Sequence, residues 1–119
     1  MTSVYKVRVL IQLFGKWKTG RINLSMNIEV EFIGVSRVLS GVSKAELSIS
    51  GNGSYRDIIS ELSKKYPQFN GQLIDPENKT FIGSSMFNLD GKRMIKPSEL
   101  DNSPEESGHL ILMSVLAGG

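Results

Sequence analysis

His109-Leu110-Ile111-Leu112-Met113-Ser114-Val115-Leu116-Ala117-Gly118-Gly119 closes the chain, and its first eight residues decide the fold. They are apolar at almost every position, which is the pattern of a strand buried on both faces at a sheet centre. A second strand is equally plain upstream. Asn27-Ile28-Glu29-Val30-Glu31-Phe32 alternates without a break, so Ile28, Val30 and Phe32 share one face and Glu29 and Glu31 the other. In a single domain of 119 residues these two strands are expected to pair in parallel at the sheet centre. The last strand then runs out of the fold into Gly118-Gly119. Glycine has no Cβ, so such a tip can thread a narrow channel and carry a main-chain carboxylate into another protein's active site.

Between these strands the chain punctuates itself. Gly34 ends the first run. A second alternating run, Lys44-Ala45-Glu46-Leu47-Ser48-Ile49, follows a loop over Val35 to Ser43, and the two runs read as a hairpin. Ser50-Gly51-Asn52-Gly53 is a turn cluster. Ser54 and Asp57 form a capping-box pair at the head of a helix from about Tyr55 to Tyr66, with Ile58, Ile59 and Leu62 as its buried stripe. Pro67 stops it. Gln68 to Ser84 is loop-rich. Met86-Phe87-Asn88-Leu89 is a short strand, Asp90-Gly91 a two-residue turn, and Arg93-Met94-Ile95 the return. Lys96 to Gly108 is polar and turn-rich. One helix among hairpins gives an α+β domain, a mixed sheet with the helix packed on one face.

Composition narrows the chemistry. The charged share is 22% and the hydrophobic share 39%, as in ordinary soluble domains. No apolar run approaches a membrane span. There is no cysteine, which excludes disulfides, thiolate nucleophiles and cysteine metal sites. His109 is the single histidine. With no second His or Cys it is poor metal evidence and reads as structural or solvent-facing. A Ser-His-Asp site would have to use it, and no nucleophile-elbow sequence accompanies it. The net charge of +2 is uneven. Residues 1–25 carry five cations (Lys6, Arg8, Lys16, Lys18 and Arg21) and no acid, so the remainder is mildly acidic. The basic balance belongs to that segment and is not a nucleic-acid footprint.

Four segments together resemble the ubiquitin-like β-grasp sulfur carriers, a family that includes the molybdopterin synthase small subunit, the thiamine sulfur carrier, the small archaeal modifier proteins and the eukaryotic ubiquitin-related modifier. Met26 to Gly34 looks like the family's opening strand and glycine. Gly53-Ser54-Tyr55-Arg56-Asp57-Ile58-Ile59-Ser60-Glu61-Leu62 is similar to its helix start. Phe87-Asn88-Leu89-Asp90-Gly91-Lys92 resembles its hairpin, and Gly118-Gly119 its reactive end. Two features depart from the pattern. Gly108 is followed by His109 rather than an acid, and the few residues before Gly-Gly are Val115-Leu116-Ala117, with no proline. The match spans 26–119. Residues 1–25 fall outside it, as a dispensable extension or an overextended start. Within them Val4 to Phe14 reads as a strand that could add to a sheet edge or displace Asn27–Ile33. The acid-free start also has some character of a transit peptide, though Arg and Ser are few.

The resemblance implies a cytoplasmic carrier with no catalytic groups, metal or bound cofactor of its own. A ubiquitin-activating-type enzyme would adenylate the Gly119 carboxylate using ATP and Mg²⁺, with Gly118 and Ala117 as the threading tail. Sulfur transfer would give a Gly119 thiocarboxylate, most like the molybdopterin synthase small subunit, whose large subunit is then an expected partner. In the modifier branch, lysines of target proteins take Gly119 instead. A plain β-grasp interaction module is the third reading. A last strand apolar on both sides has more apolar surface than one helix covers. Met113, Val115, Leu116, Phe87 and Leu89 are therefore the expected partner-binding residues. No nucleic acid or membrane partner is expected.

Overall fold

The computed structural model describes residues 8–12, 23–104 and 109–114. The chain first forms β1 (Arg8–Gln12) and β2 (Asn23–Ile33), then α1 (Val35–Ser40), β3 (Lys44–Ser50) and α2 (Tyr55–Lys65). A 3₁₀ turn at Pro67–Phe69 leads to a small pair, β4 (Ile74–Asp75) and β5 (Thr80–Phe81). Then come β6 (Ser85–Leu89), β7 (Arg93–Met94), a second 3₁₀ turn at Pro97–Glu99, and β8 (Leu110–Ser114).

The expected parallel centre is present. β2 and β8 run parallel, with Val30 opposite Leu110 and Ile33 opposite Met113. β3 flanks β2 antiparallel, β6 flanks β8 antiparallel, and β7 completes the far side. The order is β3-β2-β8-β6-β7. β1 pairs antiparallel with Asn23 to Asn27 of β2. Ser25 to Asn27 of β2 also pair with β3, so β1 lies on the opposite edge, the one that β8 uses further along. The N-terminal strand thus adds to the sheet and leaves Asn27–Ile33 in place.

α2 forms where its local code says. Ser54 accepts the Asp57 N–H, and the Asp57 carboxylate accepts the Ser54 N–H at 2.9 Å, a complete capping box. Ile58, Ile59 and Leu62 are buried against Ile28, Val30, Phe32, Leu110 and Leu112 of the central strands. Phe69 seals one end, edge-on to Phe32 at 5.5 Å between ring centres. The 97–102 segment is tied to the helix head, because Arg56 N–H donates to the Leu100 carbonyl at 2.8 Å. Beside that bond Arg56 and Asp101 pair at 2.7 Å. Hydrogen bonding from Arg56, reinforced by its charge, holds the Asp101 carboxyl below the usual carboxylate range.

Two expectations need correction. Val35 to Ser43 is not all loop: α1 occupies six of its residues and ends on Gly41 in the left-handed conformation, φ 77°. What anchors α1 is remote in sequence, since the buried Ser36 hydroxyl donates to the Leu112 carbonyl of β8 at 2.9 Å. Residues 68 to 84 are loop-rich as expected and also hold the short β4–β5 pair. The hairpin turn is also one residue longer than expected. Asp90 and Gly91 take positive φ, and Lys92 N–H closes on the Leu89 carbonyl at 3.1 Å. The ladder nevertheless pairs Leu89 with Arg93, which leaves Lys92 as an extra residue.

Candidate functional site

α2 covers one face of the sheet, and no helix among the described residues covers the other, here called the open face. Ile111 and Asn88 at its centre are nevertheless buried among their neighbours. Strand alternation decides which residues stand on the open face. On β2 the inward set is Ile28, Val30 and Phe32, so Glu29, Glu31 and Ile33 face outward. On β8 Leu110 and Leu112 face the helix, so Ile111 and Met113 face outward with them.

Register arranges these side chains into three cross-strand rows. Nearest the end of β8 lies Ile33-Met113-Met86. The middle row crosses five strands as Lys44-Glu31-Ile111-Asn88-Met94. The third row contains Glu46 and Glu29 on one side. On the other, Asp90 accepts the His109 backbone N–H at 2.6 Å. The face therefore grades from apolar, near the exit of the last strand, to acidic at the opposite end. Two contacts knit the acidic half: Lys44 ion-pairs with Glu29 at 3.0 Å, and the His109 ring hydrogen-bonds with Glu31. The hydrogen bond to Glu29, then its charge, raises the Lys44 ammonium above its ordinary value.

The apolar end continues around the last strand. Ile33 is 42% exposed and Val38 of α1 is 80% exposed. A shallow hollow there is lined by Gly34, Val35, Val38 and Ser114. Ser114 is the last described residue of β8. An apolar collar thus surrounds the point at which β8 hands the chain to its C-terminal residues. Exposed apolar surface of this kind marks interfaces.

Met113 stands on this face. Phe87 and Leu89 do not. Phe87 is 0% exposed and Leu89 5% exposed. Both point inward under α2, with Phe87 edge-on to Phe81 at 4.8 Å. The reason is parity. β6 pairs Met86 with Met113 and Phe87 with the inward Leu112, so Met86 and Asn88 take the outward positions. Sequence reasoning missed Met86, Asn88, Met94, Ile33 and Val38. The only signal for the first three was the alternation of β6 relative to β8, and fixing that phase requires the register. Val115, Leu116, Ala117, Gly118 and Gly119 lie outside the described residues.

Among the described residues no group of three or more His, Cys, Asp or Glu is placed to hold a metal. No helix among them is long and apolar enough to cross a membrane.

No protein-family model matches the sequence, and no curated protein matches it. Solved structures do match the fold. SAMP1 from Haloferax volcanii aligns with a TM-score of 0.62 at 13% identity, over 76% of this chain and 97% of that one. The small archaeal modifier protein 1 from Methanosarcina acetivorans aligns at 0.58 and 20% identity, over 78% and 96%. A putative molybdopterin converting factor subunit 1 from Pyrococcus furiosus aligns at 0.55 and 17% identity, over 76% and 98%. These identities carry the fold: a mixed sheet with a parallel central pair and one main helix on one face, the ubiquitin-like β-grasp of the small archaeal modifier proteins.

Proposed function

We propose that this chain is a sulfur carrier that works through the carboxylate of Gly119, most like the small subunit of molybdopterin synthase. The observation that carries the reading is the placement of the last strand. β8 is the central strand, parallel to β2, and it leads past an apolar collar toward a sequence that ends in two glycines. The shared fold with the putative molybdopterin converting factor subunit supports it.

The chemistry follows from what a carboxylate lacks, a good leaving group. The Gly119 carboxylate oxygen attacks the α-phosphorus of ATP on an adenylating partner, and pyrophosphate departs. AMP is then the leaving group on the acyl carbon. The terminal sulfur of a partner's persulfide attacks that carbon and expels AMP, forming an acyl disulfide. A second thiol cleaves the S–S bond, is itself oxidised into a disulfide, and frees the Gly119 thiocarboxylate. This chain contributes the tail and the docking face. ATP, Mg²⁺ and the acid–base groups belong to the partner, and the thiocarboxylate sulfur would pass to a substrate held by a molybdopterin synthase large subunit.

A second reading is conjugation to target-protein lysines, favoured by the fold shared with the small archaeal modifier proteins. High-resolution mass of the C-terminal peptide, from protein purified from its own host, separates the readings. A Gly119 thiocarboxylate is expected. Its oxygen-to-sulfur mass change must be resolved from oxidation of Met113. Gly119 joined to lysine would establish the modifier instead. A plain carboxylate after incubation with ATP, the host activating enzyme and a sulfur donor would overturn the carrier.

A further inference from the structure

One side chain on the open face does not fit an idle surface. Asn88 stands in the middle row between Ile111 and Met94, and it is only 5% exposed. Its Nδ2 donates to the Met94 sulfur at 3.2 Å. A thioether sulfur carries no hydrogen, so it takes the amide NH₂ side and fixes the flip of the amide. The Asn88 Oδ1 is then buried with no hydrogen-bond partner. Buried polar atoms are nearly always paired, and an orphaned acceptor lowers stability. An apolar residue here would spare that cost and would suit Ile111 beside it.

We propose that the Asn88 amide oxygen is held for a partner, and that it accepts a hydrogen bond from an arginine of the adenylating enzyme when that enzyme docks on the open face. This rests on the function proposed above. Arginine fits on three grounds. Its stem is apolar and can lie along Ile111, Met113 and Met86, while its guanidinium only donates. The adjoining half of the face carries Glu29, Glu31, Glu46 and Asp90 against Lys44, with His109 paired to Glu31, so the field there favours a cation. The side chain that holds the amide NH₂ is movable. Met94 is unbranched and 40% exposed, and a methionine can swing aside without disturbing the sheet.

The test is ATP-dependent adenylation of the full chain by the activating enzyme of its own host, with thermal unfolding of each variant alongside. Asn88→Leu removes the acceptor and keeps the size. Its KM is expected to rise about tenfold to a hundredfold, the range for losing a hydrogen bond to a charged group. Its kcat and Tm should not fall. Asn88→Asp keeps the acceptor and the shape, and its KM should stay near that of the wild type. Lys64→Ala, on the exposed side of α2, is the control. An N88L protein with unchanged KM overturns the inference. So does an N88D protein that loses as much as N88L, because the oxygen is then not what the partner reads. A fall in the Tm of N88L beyond about 5 °C also overturns it, because the amide would then be structural. A wild-type chain that is never adenylated overturns the proposed function itself, and this partner with it.

Discussion

Gly53 shows what a single residue contributes before any function is considered. A Cβ built on it would lie 2.9 Å from Ile49 Cδ1, 3.0 Å from the Ser50 carbonyl oxygen and 3.1 Å from Asp57 Oδ2. The first neighbour is the tip of a side chain, but Ile49 is in the core. The second is backbone, and the third is the carboxylate that closes the capping box. Glycine is required here by close approach rather than by unusual φ. Gly53→Ala should therefore destabilise the fold by about 1–3 kcal/mol, as overpacking does. Urea unfolding would show it as a lower midpoint at constant slope. An alanine tolerated without cost would mean that the turn can shift and that the capping box does not depend on it. The sequence identified Gly53 as part of a turn, but the crowding comes from three segments meeting and has no local signature.

At the scale of elements, what could be read depended on whether the information was local. The start of α2 was legible in Ser54 and Asp57, because a capping box is written within four residues. The parallel pairing of β2 and β8 was legible in the two-sided apolarity of β8. α1 was not, because its anchor is the Ser36 hydroxyl on a carbonyl of β8, across 76 positions of chain. The face assignment of β6 was not, because a shift of one residue exchanges inside for outside and register is a tertiary property. The adjacent pair Met86 and Phe87 tests that assignment. Phe87→Ala should cost about 3–5 kcal/mol, as for an aromatic removed from a packed core. Met86→Ala, on the open face, should change stability by less than about 1 kcal/mol while raising the KM for adenylation. The reverse pattern would place Phe87 on the partner face, as the sequence alone suggested, and would require a different phase for β6.

For the whole molecule, the core of the described residues lies between α2 and the sheet. In the proposed carrier, recognition and reaction are separable: the docking face would be built from β2, β8, β6 and β7, and the reacting atom would be the carboxylate of Gly119. A chain lacking Gly118 and Gly119 should unfold at the same temperature as the full chain, because neither residue has a side chain to bury. It should not be adenylated, because the carboxylate no longer reaches the activating site. It should still occupy the partner, binding within about threefold of the full chain, a difference below 1 kcal/mol, and inhibit adenylation of the full chain competitively. Calorimetry with the activating enzyme, together with inhibition kinetics, measures both quantities. A truncated chain that neither binds nor inhibits would put the binding energy in the tail. The apolar collar at Ile33, Val38 and Met113 would then need another occupant.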